Sequence, residues 1–425
     1  MARIVILSVP AYGHLNPVLP IARELVRRGH DVTIFDEPPF ASVIEATGAK
    51  FVGYPPAMSM EDMAAVLRGG DLMETFDLFL TATPTLHEFC YQALRRNKPD
   101  VLVIDGIALW GEMVGRALRI PTVVTSPFFA YELDRNQAEG ELGRNLRSLV
   151  RKIPAIAWNW IRIALKGVWL LPLHWPFLPA RGDLRLMLTS RELHPPSPLF
   201  NRPGWAFVGA MIDPQTRLDS FDTSKLDGRP VIYVSLGTLI FGKTDFYERC
   251  MEALADYPAQ VLLSAGKGSD LSRFAHAPKN FIVAQTFPQL EILRHTDIFI
   301  TPAGLNSLHE ALWFGVPMVA VPQHFEQLHN AEAMSARGAG ITLAAEATGG
   351  IVSPAELRKA VETVAADRAT YAKNALTLGQ SLKDAGGFVA AADLIEQARR
   401  GRSGRVQARP VKSPPVPAST ALPDA

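Results

Sequence analysis

The sequence has few of the residues that build disulfide-rich or cysteine-ligated scaffolds. It contains two cysteines in 425 residues, Cys90 and Cys250, which lie far apart and lack CxxC spacing. That scarcity argues against a disulfide framework and against a cysteine-based metal site. We therefore expect a cytoplasmic protein in a reducing environment, with both cysteines serving as small buried hydrophobic residues.

The chain also lacks an excess of either charge. Its formal net charge is +1, with 20% charged and 48% apolar residues. This balance argues against a nucleic-acid partner and against a charged funnel for acidic substrates. The composition is that of a globular protein with a large core, and the length suggests two or three domains.

Uninterrupted apolar runs of membrane-spanning length are missing. The amino-terminal run RIVILSVP stops at Pro10 and precedes no cleavage site, so we predict a buried strand and not a signal peptide. The Trp-rich insertion at about 135–180 is broken by Arg162, Lys166 and Pro172. These breaks favour an amphipathic lid or interfacial patch over a span, and a helical insertion buried against the domain is an equal alternative.

The last residues, 400–425, are rich in proline, serine and arginine and have almost no large apolar side chains. We predict a disordered tail. Its basic character fits a solvated tail or peripheral contact with an anionic membrane surface. Nothing in the sequence indicates an oligomeric state.

Apolar runs alternate with helical periodicity in both halves of the chain. The first half contains the predicted strands RIVILSVP, DVTIFDE, KFVGYP, DVLVIDG, PTVVTSP, DLRLMLT and WAFVGAM. The second half contains PVIYVSLGT, QVLLSAG, NFIVAQ, DIFIT and PMVAVP, an edge strand at ITLAAEA, and helices near 353–366 and 368–399. This alternation predicts an α/β fold with two similar, doubly wound parallel sheets facing a central cleft. The predicted domains are 1–212 and 229–385, joined by a polar linker at 213–228.

Two ionisable residues follow strands of the first half. His14 comes just after the first strand, beside Gly13, which permits a tight turn, and Asp105 ends the DVLVID strand. Because ligands of doubly wound sheets bind at the carboxyl ends of strands, both side chains should face the cleft. A histidine there can act as a general base, with the carboxylate fixing its tautomer. A purely structural histidine is the alternative.

The second half has polar residues at the matching places. Ser235, Gly237 and Thr238 end its first strand, where hydroxyls and exposed backbone suit phosphate oxygens. Gly304, Asn306 and Ser307 open a helix, whose N-terminus is an anion site, although Asn306 or Ser307 as a plain N-cap is the alternative. Farther along, Glu310 suits a ribose, while Glu326 and Gln327 suit neutral hydroxyls. Together these residues predict a phosphate-and-sugar binder that faces a general base.

Several motifs give the chain a family resemblance from about residue 1 to 398. In order they are GHLNP, SRELHPP, VSLGT, FPQLEIL and AGLNSLHEALWFGVPMVAVPQ with EQLHNA. The chain resembles the family 1 nucleotide-sugar glycosyltransferases, in particular the bacterial macrolide-type branch that modifies small natural products. The resemblance implies a GT-B fold, an acceptor-binding first domain, a nucleotide-sugar-binding second domain, and a closing helix, 386–399, that crosses back onto the first domain.

The resemblance also implies roles for individual residues. His14 would deprotonate an acceptor hydroxyl and Asp105 would orient it, in an inverting and metal-independent transfer without a cofactor. The UDP- or TDP-hexose would be held by Ser235, Gly237, Thr238, Thr286, Phe287, Gln289, Gly304, Asn306, Ser307, Glu310, Glu326 and Gln327. The apolar acceptor, a macrolide, polyketide or phenolic natural product, would meet Tyr12, Trp110 and Phe128.

One residue departs from the family pattern. Pro302 stands where the family usually has a histidine that donates to the diphosphate, and proline offers neither a side-chain donor nor an N–H. Loss of one such donor typically lowers a rate by a factor of roughly a hundred. The sequence therefore leaves open a working transferase with a compensating group such as Thr301 or Thr238, a transferase that is slow or uses an altered donor, and a non-catalytic GT-B auxiliary protein. A membrane-surface lipid glycosyltransferase is a further alternative.

Overall fold

The computed structural model describes residues 1–69, 72–130, 179–213, 220–237, 244–266 and 269–400, and the single positions 154, 157, 158 and 161. The predictions for Thr238, for most of the Trp-rich insertion and for the tail lie outside these residues. Within the described part, no helix is both long and apolar enough to cross a membrane.

The first half of the chain forms one parallel sheet. Its seven described strands are β1 (Arg3–Leu7), β2 (Asp31–Asp36), β3 (Lys50–Gly53), β4 (Val101–Asp105), β5 (Thr122–Ser126), β6 (Leu184–Met187) and β7 (Trp205–Phe207). The strand order is β3-β2-β1-β4-β5-β6-β7, and every pairing is parallel. Continuous burial of β1, β4 and β5 explains their unbroken apolar runs, because helices cover both faces.

Helices on the two faces enclose two apolar clusters of the first domain. The described helices are α1 (Tyr12–Leu15), α2 (Val18–Arg27), α3 (Ala41–Glu45), α4 (Met60–Gly69), α5 (Leu72–Arg95) and α6 (Leu109–Leu118). A 3-10 turn at Pro38–Phe40 precedes α3, and another at Pro198–Asn201 precedes β7.

The second half repeats this architecture. Its described strands are β8 (Val231–Ser235), β9 (Gln260–Ser264), β10 (Phe281–Ala284), β11 (Ile298–Thr301), β12 (Met318–Ala320) and β13 (Gly340–Thr342), in the order β10-β9-β8-β11-β12-β13. The helices that follow are α7 (Thr244–Leu254), α8 (Gln289–Leu293), α9 (Leu305–Trp313), α10 (Phe325–Ser335), α11 (Pro354–Ala366), α12 (Arg368–Asp384) and α13 (Gly387–Arg400). The fold is therefore the predicted pair of Rossmann-like domains.

The carboxyl-terminal helical region differs from its prediction in one respect. The pattern near 368–399 predicted one helix, but the structure has two, α12 and α13, of which α13 corresponds to the closing helix that the resemblance placed at 386–399. The break occurs at Gly386 and Gly387, which have φ values of 95° and 59°, outside the right-handed helical range. This break lets α13 pack on α2 of the first domain. There Arg28 lies 2.6 Å from the carboxylate of Asp393, and His30 lies 2.7 Å from that of Glu396.

Side chains of the second domain also contact the segment after β6. His309 of α9 lies 3.0 Å from the Thr189 hydroxyl, and Ser381 of α12 donates to the Ser190 hydroxyl at 2.8 Å. Arg337 donates to the carbonyls of Glu192 and His194. Burial lowers the pKa of His309 to about 3, so this contact is made by a neutral imidazole. The SRELHPP motif is thus a junction between the domains.

Both sheets reverse their strand order at one place. In the first sheet the reversal falls between β1 and β4, and in the second it falls between β8 and β11. Such switch points leave a crevice at the carboxyl ends of the two central strands, where open α/β sheets bind ligands. His14 and Asp105 follow β1 and β4. Ser235 ends β8, and the Pro302 loop follows β11.

Candidate active site

His14 and Asp105 meet at the first switch point. The two strands pair in a register that sets Leu7 opposite Ile104, so the chain beyond β1 runs beside the end of β4. His14 Nδ1 lies 2.8 Å from Asp105 Oδ2. The Asp105 side chain is 1% exposed and that of His14 is 19% exposed, so the imidazole reaches the cleft and the carboxylate lies beneath it. The structure therefore brings this predicted pair together.

The hydrogen bond determines which nitrogen of His14 carries the proton. Asp105 also accepts from the Ile107 N–H at 2.9 Å, as expected of a carboxylate that only accepts. The neutral imidazole therefore donates from Nδ1 and leaves the Nε2 lone pair free to accept. Burial lowers the pKa of His14, but the charge and hydrogen bond of Asp105 outweigh it, with smaller contributions from Glu326 and Asp36, and the net pKa is raised above 6.5.

The three predicted acceptor contacts lie in different surroundings. Phe128 is half-buried beside His14, with ring centroids 6.4 Å apart. Tyr12 is half-buried and meets Phe40 edge-on at 5.0 Å. Trp110 does not line the cleft: it is fully buried, stacks on Phe79 at 6.4 Å and donates to the Tyr54 hydroxyl at 3.3 Å. Its place near the start of α6 turns the indole into the core, so the prediction for Trp110 is wrong.

At the second switch point, the N-terminus of α9 offers backbone donors. Gly304 is the N-cap residue and receives no side-chain cap, which excludes the plain-cap alternative for Asn306 and Ser307. The first i to i−4 hydrogen bond of α9 runs from the Leu308 N–H to the Gly304 carbonyl, at 2.9 Å. The N–H groups of the preceding turn therefore have no helical acceptor, which is the arrangement that favours an anion.

The loop between β11 and α9 is held in an unusual conformation. Ala303 has a φ of 63°, a left-handed conformation that costs an L-residue roughly 1–2 kcal/mol. Its N–H donates to the Thr301 hydroxyl at 3.3 Å, and its carbonyl accepts from the Asn330 amide at 3.1 Å. With Pro302 lacking an N–H, the backbone donors of this loop begin at Gly304.

Gln289 joins two of the residues predicted to hold the nucleotide. Its amide donates to the Ser307 hydroxyl at 3.1 Å and to the Glu310 carboxylate at 2.7 Å. Glu310 is 3% exposed, and the bond to Gln289 holds its carboxylate in one orientation. A ribose hydroxyl is a donor that such a carboxylate can accept from.

The Glu326 and Gln327 pair opens α10. Asn330 donates to Glu326 Oε1 at 3.3 Å, and Gln327 accepts from the Gln323 N–H at 2.9 Å. Glu326 is half-buried, and its negative charge contributes to the raised pKa of His14.

The remaining predicted contacts lie around β8 and β10. Ser235 is buried and accepts from the N–H of Gly237, which has a φ of 80°. Thr286 is exposed. Phe287 is half-buried and meets Phe221 and Tyr233 edge-on at 5.9 and 6.3 Å, so its ring packs toward the core.

Comparisons with known proteins show which family of proteins this chain resembles. Residues 203–386 match the family described as UDP-glucoronosyl and UDP-glucosyl transferase. The oleandomycin glycosyltransferase of Streptomyces antibioticus is 28% identical over 418 residues, covering 96% of this chain and 94% of that protein. The NDP-glycosyltransferase YjiC of Bacillus licheniformis is 29% identical over 398 residues, covering 92% of this chain and 96% of that protein.

Solved structures agree with the sequence relatives. The kitacinnamycin glycosyltransferase superimposes with a TM-score of 0.77 and 28% identity, covering 93% of this chain and 99% of that one. The calicheamicin glycosyltransferase CalG4 superimposes with a TM-score of 0.74 and 25% identity, covering 94% of this chain and 98% of that one. In sequence and in fold, the chain is similar to family 1 glycosyltransferases over more than nine-tenths of its length. Its fold is GT-B, as the resemblance implied.

Sequence reasoning missed two contacts of this glycosyltransferase. Asn330 ties the Ala303 carbonyl to Glu326, and no motif assigned it a role, although it stands four residues after Glu326 on the same helix. The other contact involves Asn306, whose side-chain amide donates to the Gly13 carbonyl at 3.0 Å, across 293 residues of sequence. No local pattern indicates a contact between two domains.

Proposed function

We propose that this glycosyltransferase moves a hexose from a nucleotide diphosphate sugar to a hydroxyl of an apolar small molecule, with inversion at the anomeric carbon. The observation that carries the proposal is the His14–Asp105 pair at one switch point, opposite the uncapped N-terminus of α9 at the other. One edge supplies a base, and the other supplies donors for negative charge.

The transfer requires three coupled changes. Nε2 of His14 takes the proton of the acceptor hydroxyl while the acceptor oxygen forms a bond to the anomeric carbon. The bond from that carbon to the diphosphate oxygen breaks, and the nucleoside diphosphate leaves with the electron pair. Asp105 stabilises the imidazolium that forms, and the N–H groups of α9 stabilise the charge on the departing diphosphate.

The donor is held by residues of the second domain. The proposed contacts are the turn at Ser235 and Gly237 and the α9 N-terminus for phosphate, Glu310 with Gln289 for the ribose, and Glu326 with Gln327 for the sugar hydroxyls. The carboxylates are buried or half-buried acceptors, and the sugar and ribose hydroxyls are donors. Thr238 and the exposed Thr286 lie beside these groups in sequence and belong to the same proposal.

The acceptor class follows from the relatives and from the residues near His14. Relatives include the oleandomycin glycosyltransferase and the demethyllactenocin mycarosyltransferase of Streptomyces fradiae, whose names refer to macrolide-type antibiotics. Phe128 offers an aromatic face beside the proposed base. We propose a macrolide, polyketide or phenolic natural product bearing a free hydroxyl.

A donor and acceptor screen tests the proposal. The purified protein is incubated with UDP-glucose or TDP-glucose and a mixture of phenols and macrolides, and a mass increase of one hexose is sought by mass spectrometry. We expect transfer by the natural chain and none within the same time by His14→Ala. Absence of transfer with all donors, or equal transfer by His14→Ala, would contradict the proposal.

Pro302 motivates a second candidate, a GT-B protein that binds nucleotide but transfers slowly or not at all. The loop offers no backbone donor at position 302, and the Ala303 N–H is already bonded to Thr301. Calorimetry with UDP and TDP, combined with Pro302→His, separates the candidates. We expect the natural chain to turn over and Pro302→His to raise kcat by about tenfold. This gain is smaller than the factor of roughly a hundred by which the loss of one such donor typically lowers a rate. Tight nucleotide binding without turnover in both forms would favour the binding protein.

A further inference from the structure

Asn306 connects the helix of the diphosphate site to the turn that carries His14. Its amide nitrogen donates to the Gly13 carbonyl at 3.0 Å. Asn306 lies in the first turn of α9, and Gly13 directly precedes His14 in α1. One hydrogen bond therefore joins the two edges of the cleft next to the groups that do the chemistry.

The sequence GHLNP explains why the Gly13 carbonyl is available. The described backbone bonds of this turn run from His14 and Leu15 to Ala11 and from Asn16 to Tyr12. The next helical bond would reach Gly13 from position 17, but that residue is Pro17, which has no N–H. A half-buried carbonyl needs a partner, and the Asn306 amide of the second domain donates to this one.

The bond from Asn306 to Gly13 constrains the position of α9 relative to the first domain, which a bond from Asn306 to a phosphate would not do. Helix α9 is also joined to the first domain three residues later, where His309 lies 3.0 Å from the Thr189 hydroxyl. Two contacts on one helix face fix the helix against the first domain in both position and rotation. The N–H groups at the start of α9 are then held at a set distance from the His14 turn.

We propose that Asn306 is a positioning residue, which sets the His14 turn against the α9 N-terminus so that base and leaving group are aligned. This inference rests on the proposed function and refines the predicted role of Asn306 as a diphosphate ligand. Misplacement of a base by about 1 Å can lower a rate on the order of a hundredfold, so a single bond at this point can affect kcat strongly.

The first test separates positioning from phosphate binding. We expect Asn306→Ala to lower kcat by about tenfold or more while the Kd for UDP stays within about twofold of the natural chain. Asn374→Ala is the matched control, because Asn374 makes the same kind of bond, to the Gly338 carbonyl at 3.0 Å, within the second domain and away from the switch point. It should leave kcat and the UDP Kd unchanged.

The second test uses Pro17. Asn16 and Pro17 already have helical backbone angles, with φ and ψ of −52° and −42° and of −68° and −21°. Alanine at position 17 therefore fits without strain and brings an N–H within helical reach of the Gly13 carbonyl. In the Pro17→Ala background, Asn306→Ala should cost less than about threefold in kcat, because the carbonyl keeps a donor.

Several outcomes overturn the proposal. They are a loss of UDP affinity as large as the loss of kcat/KM in Asn306→Ala, no change in either quantity, and an equal effect of Asn306→Ala with and without Pro17→Ala. Failure of the proposed function itself is recognised separately, because the natural chain would then show no transfer. In that case the His14 carbon resonance decides: UDP should shift it in the natural chain and not in Asn306→Ala, and an equal shift in both would overturn the positioning role.

Discussion

At the carboxyl edge of the first sheet, the charge is already paired within the protein. Asp105 is buried, accepts from His14 and from the Ile107 N–H, and raises the pKa of the imidazole. At the same edge of the second sheet, the strand order is the same, but the start of α9 carries N–H groups without a helical acceptor. The first edge holds a complete acid–base pair, and the second holds donors and acceptors suited to a ligand.

Under the proposed function, this difference gives one architecture two tasks. The switch point places two strand ends side by side in both domains, and the residues after those strands decide what the crevice does. In the proposed function, the histidine above a carboxylate serves proton transfer. The N-terminus of α9, which has no side-chain cap, would stabilise the leaving diphosphate, because its dipole and N–H groups favour an anion.

Removing the histidine should break the comparison most strongly. We expect His14→Ala to lower kcat on the order of 10²–10⁴-fold, because the acceptor hydroxyl loses its general base. The Kd for UDP, measured by calorimetry, should stay within about twofold, because the proposed nucleotide site lies at the other edge. The control is His295→Ala, an exposed histidine 3.8 Å from the Glu291 carboxylate. A weakened UDP Kd in His14→Ala would contradict the separation of tasks.

Removing the negative charge of Asp105, beneath His14, should change how activity depends on pH. Only the unprotonated imidazole of His14 can act as a base, and the pKa of this imidazole is raised above 6.5. In the natural chain, kcat/KM should therefore increase as pH rises, with a midpoint above 6.5. In Asp105→Asn we expect a lower plateau, by roughly a hundredfold, and a midpoint shifted to lower pH. Asp100→Asn, at the amino end of β4, where Asp100 accepts from the Arg3 N–H at 2.8 Å, should move neither. An unmoved midpoint in Asp105→Asn would count against the pair.

A change at the second edge should show the opposite pattern, with a smaller effect. Gln289→Leu removes the bonds to Ser307 and Glu310, so the Kd for UDP should rise about five- to tenfold, as expected for hydrogen bonds of roughly 1 kcal/mol. The kcat at saturating donor should change less than about twofold. Gln380→Leu loses a comparable bond to Asp384 at 2.8 Å and serves as the control. A large fall in kcat with an unchanged Kd would place Gln289 in the chemical step.

Much of this arrangement follows from local pattern. Unbroken apolar runs predicted the buried parallel strands, and the end of each run located His14, Asp105, Ser235 and the α9 loop. The pairing of His14 with Asp105 was predictable because strand ends converge at one sheet edge, whatever the sequence distance between them.

Features that depend on three-dimensional packing were not predictable. Trp110 follows the same strand as Asp105, yet α6 rotates its indole into the core, since helix rotation depends on packing against α5. Likewise the bond from Asn306 to Gly13 depends on how the two domains meet. The closing helix at 386–399 was implied only by the family resemblance, because its packing on the first domain depends on Arg28 and His30, near the other end of the chain.

The anomeric configuration of the product tests the central claim most directly. If a base at the first edge and a diphosphate site at the second act on opposite faces of the anomeric carbon, transfer is a single displacement. We expect the natural chain to convert the α-linked sugar of UDP-glucose into a β-linked glucoside, identified by its proton coupling in NMR. An α-linked product would contradict the account, because retention requires a mechanism in which His14 and α9 do not face each other across the sugar.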